Sequence, residues 1–147
     1  MPAPDSPVPT LADALRPVLL RIARKLRREA EPLGLSATDT TLISLLLSRQ
    51  GLGVSELAEL EQTSRPTMSA HVKRLEAAGW VTRAAPDPQD KRRVALIVTE
   101  AGQAAREAVR QRRNDWLARR LAQLTPQQIA ALEAAIEPLT RIAGDKY

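Results

Sequence analysis

The stretch "RPTMSAHVKR", residues 65–74, interleaves cations with unusually small side chains. Arginine and lysine hold phosphate oxygens, and arginine can also bind a guanine edge through two parallel hydrogen bonds. Thr67 and Ser69 can donate or accept hydrogen bonds at either target. Pro66 and Ala70 offer compact apolar surface of the kind that meets a thymine methyl. On a helix, Met68, Val72 and Leu75 fall on one side and want a core, while Pro66, Ala70 and Lys73 fall opposite, flanked by Arg65, Thr67, Ser69 and Arg74. The major groove of B-DNA admits a helix, and slim residues let its backbone approach the bases. A solvated helix face is the plain alternative; contact with DNA is the favoured one.

Charge agrees locally. Between residues 65 and 93 lie Arg65, Lys73, Arg74, Arg83, Lys91, Arg92 and Arg93, against Glu76, Asp87 and Asp90. That segment therefore carries four of the chain's five net positive charges, concentrated where an anionic polymer would lie. His71 sits at the edge of the apolar stripe and reads as a boundary residue before a base reader. Trp80 and Trp116 read as packing residues.

These side chains need elements to hold them. The opening "MPAPDSPVPT" is Pro-rich and lacks the regions of a signal peptide, so residues 1–9 are expected to be a disordered lead-in. Thr10 would cap a first helix carrying Leu11, Leu15, Val18, Leu19, Ile22 and Leu26, with Pro17 kinking it or resetting its start. "SATD" at 36–39 follows capping-box logic and opens a largely buried helix through Leu42, Leu45 and Leu46. A short helix, roughly Ser55 to Glu61, follows Gly53. Ser64 then caps the helix of the cationic stretch, with Pro66 in its first turn.

After Gly79 the pattern alternates: "WVTRA" and "RVALIV" read as two antiparallel strands joined by "APDPQDKR", longer than a tight hairpin needs. Thr99 and Glu100 start a long helix, and "TPQQ" at 125–128 caps the last one, whose stripe is Ile129, Leu132, Ile136 and Leu139. The expected fold class is mainly α with a small antiparallel β hairpin (α+β): a winged helix-turn-helix flanked by N- and C-terminal dimerisation helices. The expected divisions are 10–34 for the N-terminal dimerisation helix, 35–98 for the DNA-binding lobe and 99–147 for the C-terminal dimerisation helices.

Composition removes other chemistries. The chain has no Cys and one His, so thiol redox sensing and a built-in metal or other cofactor site lack parts. None of the phosphate-cradling, nucleophile-elbow or zinc-protease motifs is present, which argues against an enzyme. The most apolar run, "LISLLLS", is too short to cross a bilayer, and a cytoplasmic protein is expected. A winged helix that binds protein rather than DNA is the remaining alternative.

The stretches "SELAELEQTSRPTMSAHVKRLEAAGWVTR" and "DPQDKRRVALIVTEAG" together resemble the MarR family of bacterial transcriptional regulators. The likeness runs from about Leu35 to Gly102 and includes a D-x-R motif at Asp90-Lys91-Arg92. It implies a DNA face of Ser64, Arg65, Pro66, Thr67, Ser69, Ala70, Lys73 and Arg74 in the major groove. It also implies Arg92 at the minor groove and Asp90 as the carboxylate that shapes the wing. Arg93 replaces the small residue often found after D-x-R, so Lys91, Arg92 and Arg93 are all candidates for the groove. Gln62 stands at a turn position where Gly is common. The resemblance further implies a homodimer, a palindromic double-stranded operator and, in many members, release by a small-molecule effector bound between the lobe and the dimer helices. An aromatic-lined effector pocket is hard to build with one Tyr, two Trp and no Phe. Repression without a ligand is the alternative.

Overall fold

Local capping decides where most helices begin. The computed structural model describes residues 7–86, 88–89 and 94–144. Its elements are α1 (Val8–Arg28), a 3-10 turn (Glu31–Leu33), α2 (Ala37–Ser48), α3 (Val54–Leu60), α4 (Arg65–Ala77), β1 (Val81–Arg83), β2 (Leu96–Val98), α5 (Glu100–Leu121) and α6 (Pro126–Ala143). At α2, Ser36 Oγ accepts from the Asp39 N–H at 3.1 Å while Asp39 Oδ2 accepts from the Ser36 N–H at 2.7 Å. Two of the helix's orphan donors are thereby satisfied.

The first helix departs from expectation. It opens at Val8, with Pro7 at the cap, not at Thr10. Pro9 explains the earlier start: its fixed φ is already helical, and its missing N–H falls where no intrahelical partner exists. The helix also continues through Pro17 instead of restarting there. The strands are shorter than the alternating runs suggested, three residues each, paired antiparallel as Val81 with Val98, Thr82 with Ile97 and Arg83 with Leu96. Val81, Leu96 and Val98 point into the core.

The chain divides into two compact units at Arg113. In the first, Leu42, Ile43, Leu57, Met68, Val72, Leu75 and Val109 are almost wholly buried in one cluster. Burying each large aliphatic side chain contributes about 1.5–3 kcal/mol, which fixes α2, α3 and α4 against the hairpin and the start of α5. Polar ties reach farther. Arg106 Nε donates to Ser44 Oγ at 3.1 Å. Arg113 Nε donates to the Leu26 carbonyl and Arg112 Nε to the Glu29 carbonyl, both at 3.0 Å. These are carbonyls at the end of α1 that no helical N–H can reach. Burial of the Arg113 guanidinium lowers its affinity for its proton, yet the group stays charged.

The second unit holds the end of α5 and α6. Thr125 and Gln128 form a reciprocal capping box, with the Thr125 N–H donating to Gln128 Oε1 at 2.9 Å and the Gln128 N–H to Thr125 Oγ1 at 3.2 Å. Arg120 lies over the Trp116 ring, 5.5 Å from its centroid. No residue of α6 is buried.

Candidate nucleic-acid interface

Helix α4 is built to show one face. Ser64 caps it: its Oγ accepts from the Thr67 N–H at 3.2 Å and lies 2.8 Å from Thr67 Oγ1. Met68, Val72 and Leu75 fill the core. On the other side Arg65, Pro66, Thr67, Ala70, Lys73 and Arg74 are exposed, as is Ser64, while Ser69 and His71 are half-buried. The DNA face derived from the sequence is thus continuous on the surface, with Ser69 set lower in it than its neighbours.

Both ends of the helix are fixed by turns. The α3–α4 turn closes with the Gln62 N–H on the Glu59 carbonyl at 3.2 Å and the Thr63 N–H on the Ala58 carbonyl at 3.0 Å. This pattern requires a left-handed residue, and Gln62 supplies it at φ 50°. The place where glycine would be easiest is therefore a real left-handed position, held by a residue with a Cβ. At the far end, Gly79 takes φ 76° and the same bonding recurs from Gly79 to Glu76 and from Trp80 to Leu75. The Thr99 hydroxyl donates to the Gly79 carbonyl at 2.6 Å and accepts from the Gly102 N–H at 3.0 Å. A Cβ on Gly102 would fall 2.2 Å from the Trp80 carbonyl oxygen, so only glycine lets α5 start this close to the end of α4.

The cations of the segment differ in state. Arg65 and Lys73 are exposed with no partner among the described residues. Arg83 is paired instead, its Nε 2.8 Å from Glu76 Oε1 and its Nη2 3.3 Å from Glu76 Oε2. Arg74 is likewise engaged: its Nη2 donates to Asp39 Oδ1 and, at 3.3 Å, to Ser36 Oγ. Of the four cations among the described residues, Arg74 and Arg83 are thus paired within the chain, which the charge tally could not reveal. Asp90, Lys91, Arg92 and Arg93, the wing residues inferred from the sequence, lie outside the described residues.

Sequence reasoning missed the Arg74–Asp39 contact altogether. The only trace was an aspartate where a capping box usually has glutamate. Among the described residues there is no cluster of three or more His, Cys, Asp or Glu side chains able to hold a metal. Nor is any of their helices long and apolar enough to cross a membrane.

Comparison with known proteins places this arrangement. The model of the MarR family matches residues 35–94, which run from Leu35 through the α3–α4 turn, α4 and β1 and end before β2. A helix-turn-helix transcriptional regulator of Mycobacterium bovis is 31% identical over 135 residues, covering 92% of this chain and 94% of that protein. The chain belongs to the MarR family. A transcriptional regulator from Pseudomonas aeruginosa of known structure superposes with a TM-score of 0.80 at 28% identity, over 97% of this chain and all of that one. A MepR variant from S. aureus, bound to an oligodeoxyribonucleotide, superposes at 0.72 with 21% identity, over 88% and 94% of the two chains.

MarR-family membership makes the protein a DNA-binding transcriptional regulator with a winged helix-turn-helix, and not an enzyme. Within that family frame, α4 is the second helix of the helix-turn-helix. Its exposed face carries the compact side chains Pro66, Thr67 and Ala70.

Proposed function

We propose that the protein represses transcription by binding a palindromic operator as a homodimer in the cytoplasm. Each copy would set the exposed face of α4 in a major groove, with Ser64, Arg65, Pro66, Thr67, Ser69, Ala70 and Lys73 at phosphates and base edges. Arg92, or its neighbour Lys91 or Arg93, would reach the neighbouring minor groove from a wing shaped by Asp90. The observation that carries this reading is the face itself: slim side chains, with Arg65 and Lys73 lacking a partner among the described residues, opposite a stripe sealed in the core.

Support for the homodimer comes from α1 and α6. Neither buries a residue, and Leu11, Leu19, Ile22, Leu132 and Ile136 are exposed along their apolar stripes. A two-fold axis through such stripes would cover them and set two α4 helices about 34 Å apart, one turn of duplex. A small molecule that favours a dimer with a different spacing would release the operator by population shift.

The test is a gel shift with the DNA flanking the protein's own gene, from 50 to 200 mM salt. A dimer touching about 6–10 phosphates should lose roughly three to five orders of magnitude in affinity over that range. Arg92→Ala should weaken binding most where A·T pairs flank the site, because narrow grooves there attract arginine. Salt-independent association, or equal affinity for every duplex, would refute the proposal.

A further inference from the structure

The contact between Arg74 and the α2 capping box has consequences for how α4 is aimed. Asp39 has no exposed side-chain surface, whereas Arg74 is 49% exposed. Asp39 Oδ2 is already committed to the Ser36 N–H, and Oδ1 takes the Arg74 guanidinium. The same guanidinium nitrogen reaches Ser36 Oγ. One arginine from the last turn of α4 therefore grips both residues that define the first turn of α2. On the other flank of that last turn, Glu76 is held by Arg83 from β1.

Apolar contact resists separation of two helices but is non-directional, so it tolerates rotation and sliding. Helix α4 buries only Met68, Val72 and Leu75. Charge-assisted hydrogen bonds depend on direction and distance, and supply the missing constraint. We infer that Arg74 is a positioning residue and not a phosphate contact: through Asp39 and Ser36 it sets the angle at which α4 meets the groove. This rests on the DNA-binding reading above, and it removes Arg74 from the DNA face implied by the family resemblance.

The two roles differ in charge bookkeeping. A phosphate contact displaces counterions, so its loss lowers the slope of log affinity against log salt by about 0.9 for each contact. A positioning residue lowers affinity at every salt concentration and leaves that slope as it was. Asp39 sharpens the distinction. Replacing it by asparagine removes an anion, and charge alone would then favour tighter binding to DNA. If it aims α4 through Arg74, the same change must weaken binding.

The experiment measures operator affinity by fluorescence anisotropy between 50 and 300 mM salt for the full-length protein and for Arg74→Gln, Asp39→Asn and the double variant. Asparagine keeps an oxygen for the Ser36 N–H, so the cap of α2 survives in Asp39→Asn. Thermal melts fix an assay temperature at which every variant is folded. The expected result is a roughly tenfold loss in each single variant at the wild-type slope, with the double variant no weaker than the poorer single. Lys73→Gln, by contrast, should flatten the slope. A flattened slope in Arg74→Gln, or undiminished affinity in Asp39→Asn, overturns the inference. If the unaltered protein shows no salt-dependent, selective binding, the DNA-binding reading fails instead.

Discussion

The helices around α4 and the helices at the two ends of the chain use apolar periodicity for opposite ends. In α2, α3 and α4, Leu42, Ile43, Leu57, Met68, Val72 and Leu75 are almost wholly buried within the chain. In α1 and α6 the same kind of repeat leaves Leu11 62%, Ile136 63% and Ile142 71% exposed, and no residue of either helix is buried. A stripe of exposed aliphatic residues along a helix is a demand for a partner. One set of helices closes a core by itself. The other leaves its stripe exposed, where the proposed homodimer would cover it.

Substitutions can separate the two. The largest effect is expected from Ile136→Asp, which would bury a carboxylate at the proposed two-fold interface. Sedimentation equilibrium should show dimer dissociation strengthened at least a thousandfold, about 4 kcal/mol, with operator binding lost as well. An unchanged sedimentation profile would place the dimer contact elsewhere. Leu57→Ala should cost less, about 3 kcal/mol, through the cavity left in the lobe. Its drop in melting temperature should be the same at all protein concentrations, because the lost contacts lie within one chain. A melting temperature for the unaltered protein that rises with concentration is expected in parallel, since association stabilises the folded chain by mass action.

Sequence made the lobe more legible than its internal wiring. Ser36 with Asp39, Ser64 with Pro66, and Thr125 with Gln128 lie within three residues of each other, so their side chains announce the caps directly. The sequence marks Gln62 only as standing where Gly is common, and the structure shows why: the turn takes a left-handed residue there. Val8 escaped notice because a helix opened by proline needs no side-chain cap. The strands came out short because alternation reports β-branched character, while pairing ends where the hairpin loop begins. Arg74 and Asp39 are 35 residues apart, and Arg113 and Leu26 are 87 apart. Contacts of that reach leave no periodic trace, since Arg74, Asp39 and Arg113 each read alone as an ordinary surface charge and a backbone carbonyl leaves no mark in the sequence. The exposed face of α4 is the reverse case. Its slim residues belong to a single helix, so helical periodicity alone gathers them on one side.

Ser69 lies in the middle of that face, and Ser69→Glu puts a long anion where a duplex would press. The decisive measurement is operator binding by this variant beside the unaltered protein, with circular dichroism and sedimentation run on both. Loss of selective binding is expected, with helix content and dimerisation intact. If the variant bound its operator as tightly as the unaltered protein, α4 would not be the reading helix.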